Sequence, residues 1–248
     1  MELGLNGRTA IVCGATSGMG LAIAEALVLE GANVTMFGRR RDLLEREAER
    51  VGALAVQGDL TIPLHLERLV QATVGAFGTI DVLVLNGGGP PAGPAVGLTP
   101  HAVEEAVGLL LTSHVGLVGH CLPYLRASGR GRIVAIESVS VKEPIDNLAL
   151  SNAVRPGVVG WLRTLARELG PDGITVNTIA PGRIDTARLR TLYGDDGPTA
   201  EDLAAIPARR LGTAAEIAAV ACFLASERAS YVTGTVIPVD GGLTRSLS

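Results

Sequence analysis

Several things are scarce in this chain, and each scarcity excludes something. Only 3% of its 248 residues are aromatic, and only three are cysteine: Cys13, Cys121 and Cys222. These stand far apart among apolar neighbours, without the spacing of a disulfide framework or a metal site, so packed thiols in a reducing compartment are expected. A charge excess is missing too. With 21 basic and 25 acidic residues the formal net charge is −4, which gives no electrostatic case for nucleic acid or an anionic membrane as partner. No apolar run reaches about 18 uninterrupted residues, and the first residues carry no basic stretch or cleavage site, so the expected location is cytoplasmic. Linkers, low-complexity runs and internal repeats are absent as well, and one domain over residues 1–248 is expected. What remains is a 47% hydrophobic composition. That is ample for a core, since a chain of this length buries roughly 75% of the surface its unfolded form exposes.

The pattern along the chain is strand and helix in alternation, the signature of parallel βαβ units. Strands are predicted at 9–12, 33–37, 54–57, 81–85, 132–136, 174–179 and 236–239. Helices are predicted from Gly18 to Leu29 and from Leu43 to Val51. Another follows Pro63 with Thr61 as its cap, and a long apolar one runs from about Pro100 to Leu125. The last two span about Pro156 to Leu169 and Thr213 to Ala225. The fold class is therefore α/β: a doubly wound, Rossmann-like parallel sheet of about seven strands with helices on both faces. Ligands of such sheets sit at the carboxyl ends of the strands.

The first of those ends is the most telling. The uncharged run Thr9-Ala10-Ile11-Val12 turns into a helix through Cys13-Gly14-Ala15-Thr16-Ser17-Gly18-Met19-Gly20. Such a turn aims free backbone N–H groups and the positive end of the helix dipole at one point, which suits a phosphate. The same glycines would also serve a tight turn that only lets helix and strand pack closely. No Gly-Lys-Ser or Gly-Lys-Thr closes the motif, so a P-loop is excluded.

Further motifs lie in order behind it: Asp59, Asn86-Gly87-Gly88, Ser138, Pro181-Gly182-x-x-x-Thr186 and Asp240-Gly241-Gly242. With Gly14-x-x-x-Gly18-x-Gly20, the set resembles the short-chain dehydrogenase/reductase family from about Leu5 to Leu243. Within it the chain is most similar to 3-oxoacyl-carrier-protein reductases. The resemblance implies an NAD(P) dinucleotide on residues 14–20, with Thr16, Ser17 and Met19 inside that turn. It implies Asp59 and Leu60 near the adenine, Asn86, Gly87 and Gly88 by the ribose, and Pro181, Gly182, Ile184 and Thr186 at the nicotinamide carboxamide. Arg39 and Arg40 stand where an acidic residue would bind the ribose 2′-hydroxyl of NAD. Two guanidiniums there fit a 2′-phosphate better, so NADP is expected, with NAD possible. These arginines, with Arg41, also suit the solvated start of a helix.

The catalytic positions depart from the family, which uses a Ser, a Tyr-x-x-x-Lys pair and an Asn. Ser138 matches the first, but the count puts Ser151 at the tyrosine, Arg155 at the lysine and Leu110 at the asparagine. A serine hydroxyl is far less acidic than a phenol, and an arginine stays protonated, so the usual proton relay is broken. Pro156 directly after Arg155 predicts a helix starting there, with 151–154 left as a loop or a separate turn. Lys142, His114 and Glu137 are alternative proton donors near the correct sheet edge.

Three readings stand at this point. One is an NADP(H)-dependent oxidoreductase acting on a carbonyl or alcohol through Ser138, Ser151, Arg155 and Lys142. Another is an NAD(P)-binding protein without hydride transfer, serving as a sensor or partner subunit. The third, a methyltransferase-like use of the turn, would want an acidic residue after the second strand. Residues 187–212 are polar and interrupted by Gly194, Gly197, Pro198 and Pro207, and correspond to the family's substrate lid. Their Leu189, Leu192, Tyr193, Leu203 and Ile206 imply a small, partly apolar substrate. By resemblance, the long apolar helices pack between subunits of a homo-oligomer, a tetramer.

Overall fold

A computed structural model describes residues 2–194 and 197–247. Seven strands, all parallel, form one sheet: β1 (Thr9–Cys13), β2 (Asn33–Gly38), β3 (Leu54–Gln57), β4 (Val82–Leu85), β5 (Arg132–Ile136), β6 (Thr175–Pro181) and β7 (Val236–Val239). Their order is β3-β2-β1-β4-β5-β6-β7. The central strands β1, β4, β5 and β6 are buried along their whole length. Such strands read as continuous apolar runs because helices cover both faces.

One face carries α3 (Pro63–Phe77), α4 (Pro100–Val107), α5 (Ser113–Ser128) and α6 (Ala149–Leu169), packed through Leu69, Leu110, Leu117, Cys121, Val158 and Leu162. The other carries α1 (Gly18–Leu29), α2 (Arg41–Val51) and α9 (Ala214–Ala225), packed through Ile23, Leu27, Leu44, Ile217 and Leu224. Cys13, Cys121 and Cys222 are free thiols inside these layers. Burial pushes the Cys13 thiol up to about 12, so it stays protonated. Strand order reverses between β1 and β4, which opens a crevice at their carboxyl ends.

Three local expectations are corrected. The helix before β5 is not uniform: α4 passes into α5 through a π-helical turn over Gly108–Thr112. Turns of this kind often mark functional sites. The whole segment Pro100–Ser128, 29 residues with mean hydropathy 1.4, is long and apolar enough to cross a membrane by length and composition. Its inner side, however, is the core of one face of the sheet.

The second correction concerns Pro156, which lies inside α6 rather than at its start. An internal proline costs a hydrogen bond and roughly 3 kcal/mol. Tertiary contacts hold the turn before it. Asn152 clamps Ile145 through both its amide nitrogen and oxygen, Ala149 N–H donates to Gly93 O, and Leu150, Ser151 and Val154 are buried. Residues 151–154 are therefore helix.

Thirdly, Thr61 does not cap α3. Its hydroxyl and amide both donate to Asp59 Oδ1, and Ile62 takes the cap position. Residues 187–212 leave the sheet as expected. They form α7 (Ala187–Tyr193) and α8 (Ala200–Ala204), and residues 195 and 196 of the expected lid lie outside the described residues.

Candidate active site and nucleotide groove

The strand-to-helix turn after β1 is built on two left-handed glycines, Gly14 at φ +60 and Gly18 at φ +58. Gly14 has a second reason. A Cβ there would lie 2.6 Å from Asn86 O, and a Cβ on Gly20 would lie 2.6 Å from Asn86 Nδ2. Asn86 is buried at the end of β4 and donates to Cys13 O and Gly14 O, stitching the turn to the central strands. Gly14 and Gly20 thus serve close packing, while Gly18 serves the bend into α1. Ser17 occupies the cap position of α1 but makes no capping bond. The first N–H groups of α1 are left without a side-chain partner, so this helix end suits an anion.

The Ser17 hydroxyl is engaged elsewhere. Arg40 Nη2 donates to Thr16 Oγ1 at 2.9 Å and to Ser17 Oγ at 2.8 Å, so the guanidinium lies beside the start of α1. Arg39 is mostly exposed and sits 3.9 Å from Asp59. Burial raises the Asp59 pKa and Thr61 and Arg39 lower it, with a net shift downward, so its carboxylate is ionised in the neutral range. Residues 14–20, 39–40 and 59–60 therefore flank one end of the crevice.

At the other end is a cavity of about 600 Å³. Its lining brings together Met19, Asn86, Gly87, Gly88, Ser138, Ser151, Arg155, Pro181, Gly182, Ile184 and Thr186, all picked from the sequence. Lys142 is not among the lining residues, while its neighbour Glu143 is. Thr186 caps α7, accepting from Leu189 N–H. Gly182 lies against Asp240, whose carboxylate accepts from Gly242, Thr244 N–H and the Thr244 hydroxyl.

Ser138, Ser140, Ser151, Arg155 and Glu137 form one chain of contacts, buried from Ser140 onward. Ser138, at the end of β5, accepts from Ser140 N–H. Ser140 Oγ is 3.2 Å from Ser151 Oγ. Arg155 sits one helical turn beyond Ser151, so both share a face of α6. It donates from Nε to Ser151 Oγ at 3.1 Å and from Nη1 to Glu137 Oε2 at 2.8 Å. Glu137 is buried with its Oε1 unpartnered among the described residues. Burial raises its pKa against the opposing pull of Arg155. His114 lies nearby on α5, fully buried, with both ring nitrogens unpartnered among the described residues. Burial, and then Arg155, lower its pKa to about 4, so the ring is neutral at neutral pH. Leu110 is buried inside the π turn.

Sequence reasoning missed Ser140, a small hydroxyl residue in the 3-10 turn Val139–Val141, and the pairing of Glu137 with Arg155. The pairing was foreshadowed only by two opposite charges at positions that the alternation buries.

A parallel sheet in this order, with a glycine turn at its switch point, defines a dinucleotide-binding type of α/β fold. The comparisons refine that class. The sequence model of a family described as "Enoyl-(Acyl carrier protein) reductase" matches residues 14–244. The 3-oxoacyl-[acyl-carrier-protein] reductase MabA of Mycobacterium tuberculosis is 36% identical over 236 residues, covering 95% of this chain and 92% of that protein. Cyclohexanol dehydrogenase of Rhodococcus sp. (strain TK6) is 33% identical, covering 99% of both. Among solved structures, the L-sorbose reductase of Gluconobacter frateurii complexed with NADPH and L-sorbose superposes with a TM-score of 0.94 at 29% identity, covering 100% of both chains. YwfH, an NADPH-dependent reductase involved in bacilysin biosynthesis, does so with 0.93 at 27%, covering 97% of this chain and 99% of its own. The chain belongs to the short-chain dehydrogenase/reductase family and resembles its 3-oxoacyl-carrier-protein reductases.

Proposed function

We propose that this chain is an NADP(H)-dependent oxidoreductase acting on the carbonyl or alcohol of a small, partly apolar molecule through an altered site. The observation that carries the cofactor reading is Arg40, held on the hydroxyls of Thr16 and Ser17 beside the uncapped start of α1. A planar guanidinium next to free backbone N–H groups fits a 2′-phosphate, and no carboxylate holds Arg40 among the described residues. Relatives that use NADPH by name support the same choice. Gly14 to Gly20, Arg39, Asp59 and Leu60 would hold the adenosine and pyrophosphate; Asn86 to Gly88 and Pro181 to Thr186 would hold the nicotinamide riboside. When bound, the nicotinamide supplies or accepts the hydride.

The chain's own groups have the remaining work. Ser138 accepts from Ser140 N–H and keeps its own O–H to donate to a substrate oxygen. Arg155 never gives up its proton, so it offers charge and orientation to the site but no acid. Ser151 accepts from Arg155, which leaves its single O–H for Ser140 or the substrate. The proton then comes by way of water, Ser151 or Lys142. Losing general-acid help slows such a step roughly 10²–10⁴-fold.

A second reading, cofactor binding without hydride transfer, is favoured by how far Ser140, Ser151, Arg155 and Glu137 bond to one another rather than toward the cavity. One experiment addresses both. Dissociation constants for NADPH and NADH are measured on wild type and Arg40→Ala, then NADPH oxidation is followed with ketones, 3-oxoacyl thioesters and quinones. NADPH is expected to bind at least ten-fold tighter than NADH, with that preference lost in Arg40→Ala; equal or tighter NADH binding overturns the NADP assignment. Slow turnover of at least one substrate is expected, and tight NADPH binding with no turnover moves the conclusion to the second reading. Residues 187–212 serve in this proposal as the lid, and α5 and α6 as the contact between copies in a homo-oligomer.

A further inference from the structure

We propose that the substrate carries a carboxylate on an apolar body, and that Arg188 receives it. The inference rests on the reading of the cavity as a substrate site and adds to it the chemistry of what enters. Three guanidiniums line the cavity. Two are neutralised: Arg155 by Glu137 at 2.8 Å and Arg183 by Asp202 at 3.1 Å. Arg188, in the first turn of α7, has no carboxylate partner among the described residues. Its neighbour Arg190, which does not line the cavity, pairs with Asp185 through two bonds of 3.0 and 3.2 Å.

What holds Arg188 is backbone. Nη1 donates to Gly89 O and Nη2 to Pro90 O, each at 3.1 Å. The seat depends on glycine: a Cβ on Gly89 would fall 2.6 Å from the Arg188 Cζ. Two of the five guanidinium N–H groups are used, so three remain for a ligand. Partial burial, and then the charge of Arg155, lower the Arg188 pKa, which places the two cations in one electrostatic environment. An anion on Arg188 relieves that repulsion. Of the acids at the rim, Glu143 accepts from Arg245 N–H and Asp146 is exposed to water. The rest of the wall includes Val139, Ile145, Leu148, Leu189 and Leu192. A charged head on a hydrocarbon body is what such a wall selects, and a guanidinium fork matches a carboxylate in two parallel bonds.

Arg188 could instead act only as a latch between α7 and the 87–90 loop. Calorimetry on the full chain separates the roles, with hexanoate, hexanamide and hexyl phosphate as probes in saturating NADPH. Hexanoate is expected to bind at least ten-fold tighter than hexanamide, and Arg188→Leu to abolish that difference while hexanamide and NADPH bind as before. Arg188→Lys keeps part of it, and Arg190→Leu keeps all of it. Equal binding of acid and amide by wild type overturns the proposal, as does tighter binding of hexyl phosphate than of hexanoate. A loss in Arg188→Leu that is the same for both ligands assigns the latch role and overturns it too. The NADPH titration run alongside distinguishes the two levels: intact NADPH binding without carboxylate preference defeats only this inference, whereas absent NADPH binding defeats the underlying reading.

Discussion

The two edges of the sheet bury arginine in opposite ways. At the amino edge Arg8 and Arg132 are 0% and 4% exposed. Their charge is spread mainly over carbonyls, with Glu227 4.0 Å from Arg8: Arg8 donates to Ala225 O and Arg130 O, and Arg132 to Gly131 O, Gly173 O and Ser226 O. Ala225 and Ser226 end α9, where the helix dipole is negative. Asp81, buried, accepts from Thr9 N–H and from Arg130 Nε. At the carboxyl edge Arg155 is balanced by one titratable carboxylate, Glu137, inside a cavity wall. Carbonyls cannot be protonated and a carboxylate can. Most of the charge at the amino edge therefore rests on groups that do not titrate, with Asp81 and Glu227 beside them, whereas Arg155 leans on Glu137 alone, so the carboxyl edge is the more responsive to pH and to ligands.

The largest test of that contrast is Asp81→Ala. It strips Thr9 N–H and Arg130 of their acceptor and leaves the buried Arg8 with less compensation. Arg130 is half exposed, so the cost comes mainly from the orphaned buried Thr9 N–H and the less compensated charge of buried Arg8, about 3–4 kcal/mol together. The loss should be the same at pH 6 and pH 8 by urea unfolding, and NADPH affinity of the folded variant should match wild type. A marked pH dependence would break the picture of the less responsive edge.

Arg155→Met applies the same operation to the other edge and should behave differently. It isolates Glu137, whose folded-state pKa burial already raises. A carboxyl group with a raised folded pKa favours the fold while protonated and loses that contribution as pH rises past about 4.5. The variant should therefore cost about 3 kcal/mol at pH 8 and distinctly less at pH 5. Adding Glu137→Gln should recover most of the loss at pH 8. An equal deficit at both pH values would show that packing, and not charge, dominates there.

How far the sequence carried this contrast depends on the kind of signal. The strands and the glycine turn were legible because burial on both faces leaves uncharged runs, and because Gly14 and Gly18 need left-handed backbone. The gathering of Asn86, Ser138 and Pro181 in one cavity followed from their places at strand ends. The start of α6 was not legible: Pro156 speaks locally for a boundary, while the Asn152 clamp and the burial of Leu150 and Val154 that override it are tertiary. The π turn was hidden for a like reason, since Gly108–Thr112 continues the apolar pattern on either side. Arg188 lay in a polar stretch whose order only the fold supplies, and nothing local sets it apart from Arg190.

The smallest of the three effects isolates a single group at the carboxyl edge. His114 has a folded pKa of about 4 against an ordinary 6.5, because burial penalises its charged form. The unfolded chain therefore binds a proton between those values that the folded chain refuses, and stability falls as pH drops from about 6.5 toward 4. At pH 5 the cost is about 2 kcal/mol, from the free energy of one pKa unit. His114→Leu removes the titration and leaves no orphaned ring nitrogen, so its unfolding midpoint should change less than that of wild type between pH 7 and pH 5. At pH 5 the variant should be the more stable of the two if the site tolerates the smaller side chain. Parallel pH profiles for the two proteins would mean that a buried water or neighbour already satisfies His114, and the responsive charge at this edge would then be Glu137 alone.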